Sequence, residues 1–164
     1  MTFQRAPAIP IALLKNPVHL LSTGLGSGLS PVAPGTMGTL VAIPIYLGLQ
    51  SLAPLLYLVV CLAMFLVGIG LCGATSRALR AHDHAGIVWD EIVGYLLTMV
   101  AVPRGWVWVA LGFVLFRLFD IWKPWPIRFF DRGVQGGLGI MLDDLLAALY
   151  ASLVLQAALW LLQR

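Results

Sequence analysis

The stretch LGIMLDDLLAALYASLVLQAALWLL (138–162) decides the fold: it is apolar for 25 residues apart from the adjacent pair Asp143 and Asp144 and a few uncharged polar side chains. At 1.5 Å per residue such a helix exceeds the roughly 30 Å hydrocarbon core of a bilayer. A carboxylate placed inside a span costs about 2.5 to 3.5 kcal/mol on insertion scales, so the pair needs a cation nearby to be tolerated. The stretch therefore reads as a membrane helix that carries part of a charged site.

Working back along the chain, KPWPIRFFDRGVQGG (123–137) is a basic, aromatic loop containing Pro and Gly, and WVWVALGFVLFRLFDIW (106–122) is an apolar segment with Arg117 and Asp120 near its end. Its terminal Trp residues stand where an interfacial aromatic belt places them. GIVWDEIVGYLLTMVAVP (86–103) is apolar except for Asp90 and Glu91 and reads as another span. Before it, LVAIPIYLGL and LLYLVVCLAMFLVGIGLCG, separated by QSLAP (50–54), read as a helical hairpin with a short first arm. The segment STGLGSGLSPVAPGTMGT (22–39) is too rich in Gly and Pro for a lipid-facing helix, because at membrane depth irregular backbone is tolerated only where protein or a polar cavity covers it. It is expected to be a re-entrant or packed loop against the site.

The whole chain of 164 residues is 60% hydrophobic and 10% charged, against about a quarter charged in a soluble domain. The expectation is one all-α domain over 1–164, a polytopic integral membrane helical bundle. The net charge of +3, thinly spread, argues against nucleic acid and suits a surface facing anionic lipid. Cys61 and Cys72 lie in apolar sequence without partners at ligand spacing and read as small fillers. Met1 to Pro10 is too poor an apolar run for a cleaved signal peptide, so the N-terminus is expected in the cytoplasm. With five membrane segments, Arg5, Lys15, Arg77, Arg80, Lys123, Arg128 and Arg132 fall on that side against Arg104 and Arg164, as the positive-inside rule requires.

Every acid in the chain, Asp83, Asp90, Glu91, Asp120, Asp131, Asp143 and Asp144, lies between positions 83 and 144. In this topology Asp90, Glu91, Asp120, Asp143 and Asp144 come to one level near the cytoplasmic face. Oxygen ligands without His or Cys clusters favour Mg²⁺ or Mn²⁺, and Asp90, Glu91, Asp143 and Asp144 are the metal-ligand candidates, with ion pairs to Arg117, Arg128 or Arg132 as the structural alternative. Arg117, Lys123, Arg128 and Arg132 suit phosphate recognition, against headgroup anchoring. Thr36 and Thr39 could hydrogen-bond phosphate or cap a helix. Gly136, Gly137 and Gly139 could cradle an anion or form a plain turn. On a continuing helix Asp83 would lie beside Asp90 and Glu91, where Asp83 or His84 could move a proton; His19 reads as structural.

The blocks GSGLSPVAPGTMGTL (26–40), HDHAGIVWDEIVG (82–94), FRLFDIWKPWPIRFFDR (116–132) and GGLGIMLDDLLA (136–147), in this order, resemble the phosphatidylglycerophosphatase A family of bacterial inner-membrane lipid phosphatases. Ala148 stands where the family would have Gly. The resemblance implies Mg²⁺-dependent hydrolysis of phosphatidylglycerophosphate to phosphatidylglycerol and phosphate at the cytoplasmic face, with catalytic positions at Asp83, Asp90, Glu91, Asp120, Asp143 and Asp144 and phosphate-binding positions at Arg117, Lys123, Arg128 and Arg132. The expected chemistry is in-line attack by a metal-activated water, or a covalent aspartyl-phosphate through Asp90 or Asp120. Two rival readings are a small ion- or proton-coupled transporter, whose acids would lie at several depths, and a CDP-alcohol phosphotransferase, whose acid motif is absent.

Overall fold

A computed structural model of the chain describes residues 9–81 and 84–162, and of 130–132 the backbone alone. Within them the chain is helical and contains no strand. The elements are α1 (Pro17–Ser22), α2 (Pro34–Leu49), α3 (Pro54–Leu79), α4 (Trp89–Thr98), α5 (Trp106–Trp122), α6 (Ile127–Gly133) and α7 (Gly136–Leu162), with short 3-10 turns at Ile11–Lys15 and Ser27–Leu29.

Local chemistry sets these bounds. Pro17, Pro34 and Pro54 each open a helix within its first turn, where the missing N–H costs nothing and φ is already helical. α3 stops at Arg80 and α5 at Lys123, both in the left-handed region at φ 52° and 44°, and Pro124 follows Lys123. α4 gives out at Met99, shortly before Ala101 at φ 56° and Pro103.

Two expectations need correction here. The Gly-rich segment 22–39 is a loop only in its first part, because from Pro34 it is already α2. Its glycines serve close packing: a Cβ on Gly38 would strike Val88, and one on Gly35 would strike Glu91 and Arg117. The expected span over 86–103 is helical only for the ten residues of α4, about 15 Å long and too short to cross a bilayer. Only α3 and α7, among the described residues, are both long and apolar enough to do so.

α4 instead forms the axis of the bundle. It packs against α2, α3, α5 and α7, and Asp90, Ile92, Val93, Gly94, Tyr95, Leu96 and Thr98 are all buried. Side chains pin it through backbone carbonyls: the Tyr57 hydroxyl donates to Leu96 O at 2.8 Å, Trp89 Nε1 to Met64 O at 3.1 Å, and the Tyr95 hydroxyl to Val109 O at 3.2 Å. Tyr46 stands edge-on to both Tyr57 and Tyr95. Such directional bonds fix orientation where burial alone would let apolar helices slide.

The outward faces are apolar. Leu55, Val59, Leu62 and Leu66 on α3, and Val107, Leu111, Val114, Leu118 and Ile121 on α5, are exposed at helical three- and four-residue spacing. Apolar surface this continuous marks a place where something other than water belongs.

α3 and α7 meet closely at Gly137, where an added Cβ would run into Ile69 O and the backbone of Gly73. Gly70, on the same stretch of α3, has open space around it. Gly137→Ala is therefore expected to destabilise by about 1–3 kcal/mol, whereas Gly70→Ala gains up to roughly 1 kcal/mol of helix propensity. Thermal unfolding of the two variants in detergent micelles checks the opposite signs.

Candidate metal centre

Helix register accounts for how the acids meet. Asp90 and Glu91 sit in the first turn of α4, and Asp120 lies near the end of α5, one turn beyond Arg117. Asp143 and Asp144 stand about two turns into α7, deeper than the expected start of that helix. Gly94, one turn beyond Asp90 on α4, lets the elements close up: a Cβ there would strike the Phe116 ring and press on Asp144 Cβ.

The result is a cavity of about 320 Å³ lined by Asp90, Glu91, Asp120, Asp143, Asp144, Arg117 and Lys123, with Ala33, Pro34 and Gly35 at its edge. Asp90 and Asp143 are 8% exposed and Asp144 3%. Lys123 Nζ lies 2.6 Å from Asp143 Oδ2. Arg117 pairs with Asp120 and reaches Glu91 Oε1 at 3.7 Å. Of the ion pairs suggested as an alternative, Arg117 with Glu91 is present, while Asp143 pairs with Lys123; among the described residues these pairs leave the acids in excess.

Asp90 Oδ1, Glu91 Oε2 and Asp144 Oδ2 are buried with no hydrogen-bond donor among the described residues. Buried anionic oxygens without a partner are costly, and a proton, a paired cation or a coordinated metal relieves that cost. The geometry suits one: Asp90, Glu91 and Asp144 each bring a carboxylate oxygen within 4.8 Å of the others, and so do Asp120, Asp143 and Asp144. An all-carboxylate donor set fits a hard divalent ion.

Several candidates lie elsewhere. Arg128 lines a neighbouring open cleft of about 690 Å³ with Trp122, Lys123, Trp125 and Phe129, so Lys123 belongs to both hollows. Thr39 is fully buried with its hydroxyl on Gly35 O, a bond within α2. Neither Thr36 nor Thr39 lines the cavity, and neither caps α2, whose N-cap is Ala33. Gly137 and Gly139 are used in packing against Ile69 and Val134 rather than as an anion cradle. Asp83 and the side chains of Asp131 and Arg132 lie outside the described residues. No helix continues from α3 into α4, since His84 O accepts from Ile87 N in an intervening turn, and His84 Nδ1 accepts from Gly86 N–H at 3.0 Å. His19 bonds Thr75 Oγ1 at 2.8 Å and joins α1 to α3.

One contributor escaped the sequence reading: the start of α2. Ala33 offers no side-chain cap, Pro34 has no N–H and Met37 N–H is bonded to Ala33 O, so Gly35 is the first-turn residue that brings an N–H to the cavity edge, where anions are favoured. Its signal was Pro34 followed by Gly35 and Gly38, a helix start whose glycines share one face. Because a Cβ at Gly35 would meet both Glu91 and Arg117, Gly35→Ala is expected to weaken Mn²⁺ binding at least tenfold, about 1.4 kcal/mol, with helicity by circular dichroism unchanged. Isothermal titration of the purified protein measures it.

The family model described as "Phosphatidylglycerophosphatase A" matches residues 20–159. The chain is 50% identical to Escherichia coli phosphatidylglycerophosphatase A over 87% of its own length and 83% of that protein. It is 46% identical to the Haemophilus influenzae protein of the same name, over 92% and 93% of the two chains. A Bacteroides thetaiotaomicron protein with the provisional name phosphatidylinositol-3-phosphatase is 38% identical, over 87% and 94%. No solved structure matches the chain.

Proposed function

The chain belongs to the phosphatidylglycerophosphatase A family, and from that membership together with the acidic cavity we propose that it hydrolyses phosphatidylglycerophosphate to phosphatidylglycerol and phosphate, with Mg²⁺, at the cytoplasmic face of the bacterial inner membrane. The observation that carries the reading is the convergence of five carboxylates from α4, α5 and α7 with Arg117 and Lys123 in one cavity. A site of that composition can hold a divalent ion and a phosphate together.

Asp90, Glu91, Asp143 and Asp144 would hold the ion. When bound, it supplies Lewis-acid polarisation of phosphoryl oxygens and a more acidic water. The protein's own groups do the rest. Arg117 offers a planar fork of donors to the phosphomonoester oxygens and offsets charge as it develops there. Lys123 adds a compact positive charge beside Asp143. Gly35, in the first turn of α2, adds a backbone N–H at the same edge. A carboxylate oxygen of Asp90 or Glu91 that the ion does not engage can accept from the attacking water and orient it in line with the leaving oxygen.

Membrane insertion has its own support. α3 and α7 are long enough to span, and the exposed apolar stripes of α3 and α5 turn toward where acyl chains would lie. Orientation toward the cytoplasm rests on the basic residues close to the acids in the sequence, Arg77, Arg80, Lys123 and Arg128, because the count over five spans does not survive a ten-residue α4. Trp122, Trp125, Phe129 and Arg128, lining the larger cleft beside Lys123, fit the boundary between head groups and tails, where amphipathic side chains gather.

Phosphate release from phosphatidylglycerophosphate by the purified protein tests the reading. Turnover should require Mg²⁺ and cease in EDTA, and Glu91→Gln or Asp143→Asn should lower it at least a hundredfold, about 2.7 kcal/mol of transition-state stabilisation. Full release in EDTA, or full activity in both variants, would overturn the assignment.

A further inference from the structure

The two carboxylate triads share a member. Asp90, Glu91 and Asp144 form one, Asp120, Asp143 and Asp144 the other, and in each the three oxygens lie within 4.8 Å of one another. We propose that the cavity takes two divalent cations, the second held by Asp120, Asp143 and Asp144, with the Asp144 carboxylate shared between the two sites. Asp120 thereby becomes a metal ligand as well as the partner of Arg117.

Three observations carry this. Asp144 is 3% exposed, and its Oδ2 has no donor among the described residues although four other acids line the same cavity. A carboxylate has two oxygens and about four lone-pair sites, enough to bridge two cations. Second, the Arg117 pair with Asp120 goes through a single oxygen, Oδ2, so it does not demand the whole Asp120 carboxylate. Third, the charge does not close with one ion. Among the described residues, the five carboxylates and two side-chain cations that line the cavity sum formally to −3. One divalent ion leaves −1, which repels a phosphomonoester dianion, whereas two leave +1, which attracts it. Between carboxylates this buried, Coulomb terms are too weakly screened for the wrong sign to be ignored.

The inference rests on the metal-dependent reading above, but its test needs no substrate. The full chain in detergent micelles is stripped with EDTA, dialysed against a range of Mn²⁺ concentrations, and analysed for bound metal and by low-temperature electron paramagnetic resonance. The expected result is two Mn²⁺ per chain at saturation and a spectrum of a magnetically coupled pair. Asp120→Asn should bind one Mn²⁺, with an isolated-ion spectrum and an unfolding temperature close to that of the parent. One Mn²⁺ per chain in the parent protein overturns the proposal whatever the variant does, and so does a folded Asp120→Asn that still binds two. If phosphate release fails while two Mn²⁺ bind, the phosphatase reading falls and the binuclear site stands. If phosphate release is normal with one Mn²⁺, the reverse holds.

Discussion

The structure is organised around the burial of negative charge. Five carboxylates meet in a space that only two side-chain cations enter from the described residues, inside a chain that is 60% hydrophobic. Removing an ionised carboxylate from water costs several kcal/mol unless it is paired or coordinated. The arrangement of α4, α5 and α7 makes sense as the scaffold that holds these groups at one level against their mutual repulsion. Arg117 and Lys123 neutralise part of the charge through Asp120, Glu91 and Asp143, and the oxygens that remain without donors define where a metal belongs.

That requirement explains why a helix of ten residues lies at the centre of the bundle. The short α4 presents Asp90 and Glu91 at its first turn and is gripped by Tyr57, Trp89 and Tyr95 through three carbonyls. Close approach is bought with glycine: Gly94 at α5 and α7, Gly35 at the Glu91 and Arg117 pair, Gly137 at α3. The acids' geometry therefore depends on residues that carry no charge.

Much of this was legible in the sequence, because charge in an apolar chain is conspicuous. Asp90, Glu91, Asp120, Asp143 and Asp144 needed only helical register and a common end to be placed together, and Lys123 and Arg117 followed from their closeness to Asp120. Less legible was whatever depends on packing. The apolar run 86–103 looked like a span because hydropathy does not distinguish a helix facing lipid from one enclosed by neighbours, and α4 is enclosed. The glycines of 22–39 suggested loop backbone because composition does not tell conformational freedom from the need for a small side chain. Thr39 carried no sign that its hydroxyl would fold back onto Gly35. His84 and Asp83 were aligned with Asp90 on the premise of a continuous helix, which the turn at His84 removes.

Lys123 lines both hollows, the acidic one and the larger aromatic cleft with Trp125 and Phe129 at its rim. On the proposed reading, an amphiphile could present its head to the acids while its tails never leave the leaflet. Turnover would then follow the mole fraction of substrate in the two-dimensional lipid phase, and diluting that phase with inert lipid would slow the reaction even at constant bulk concentration.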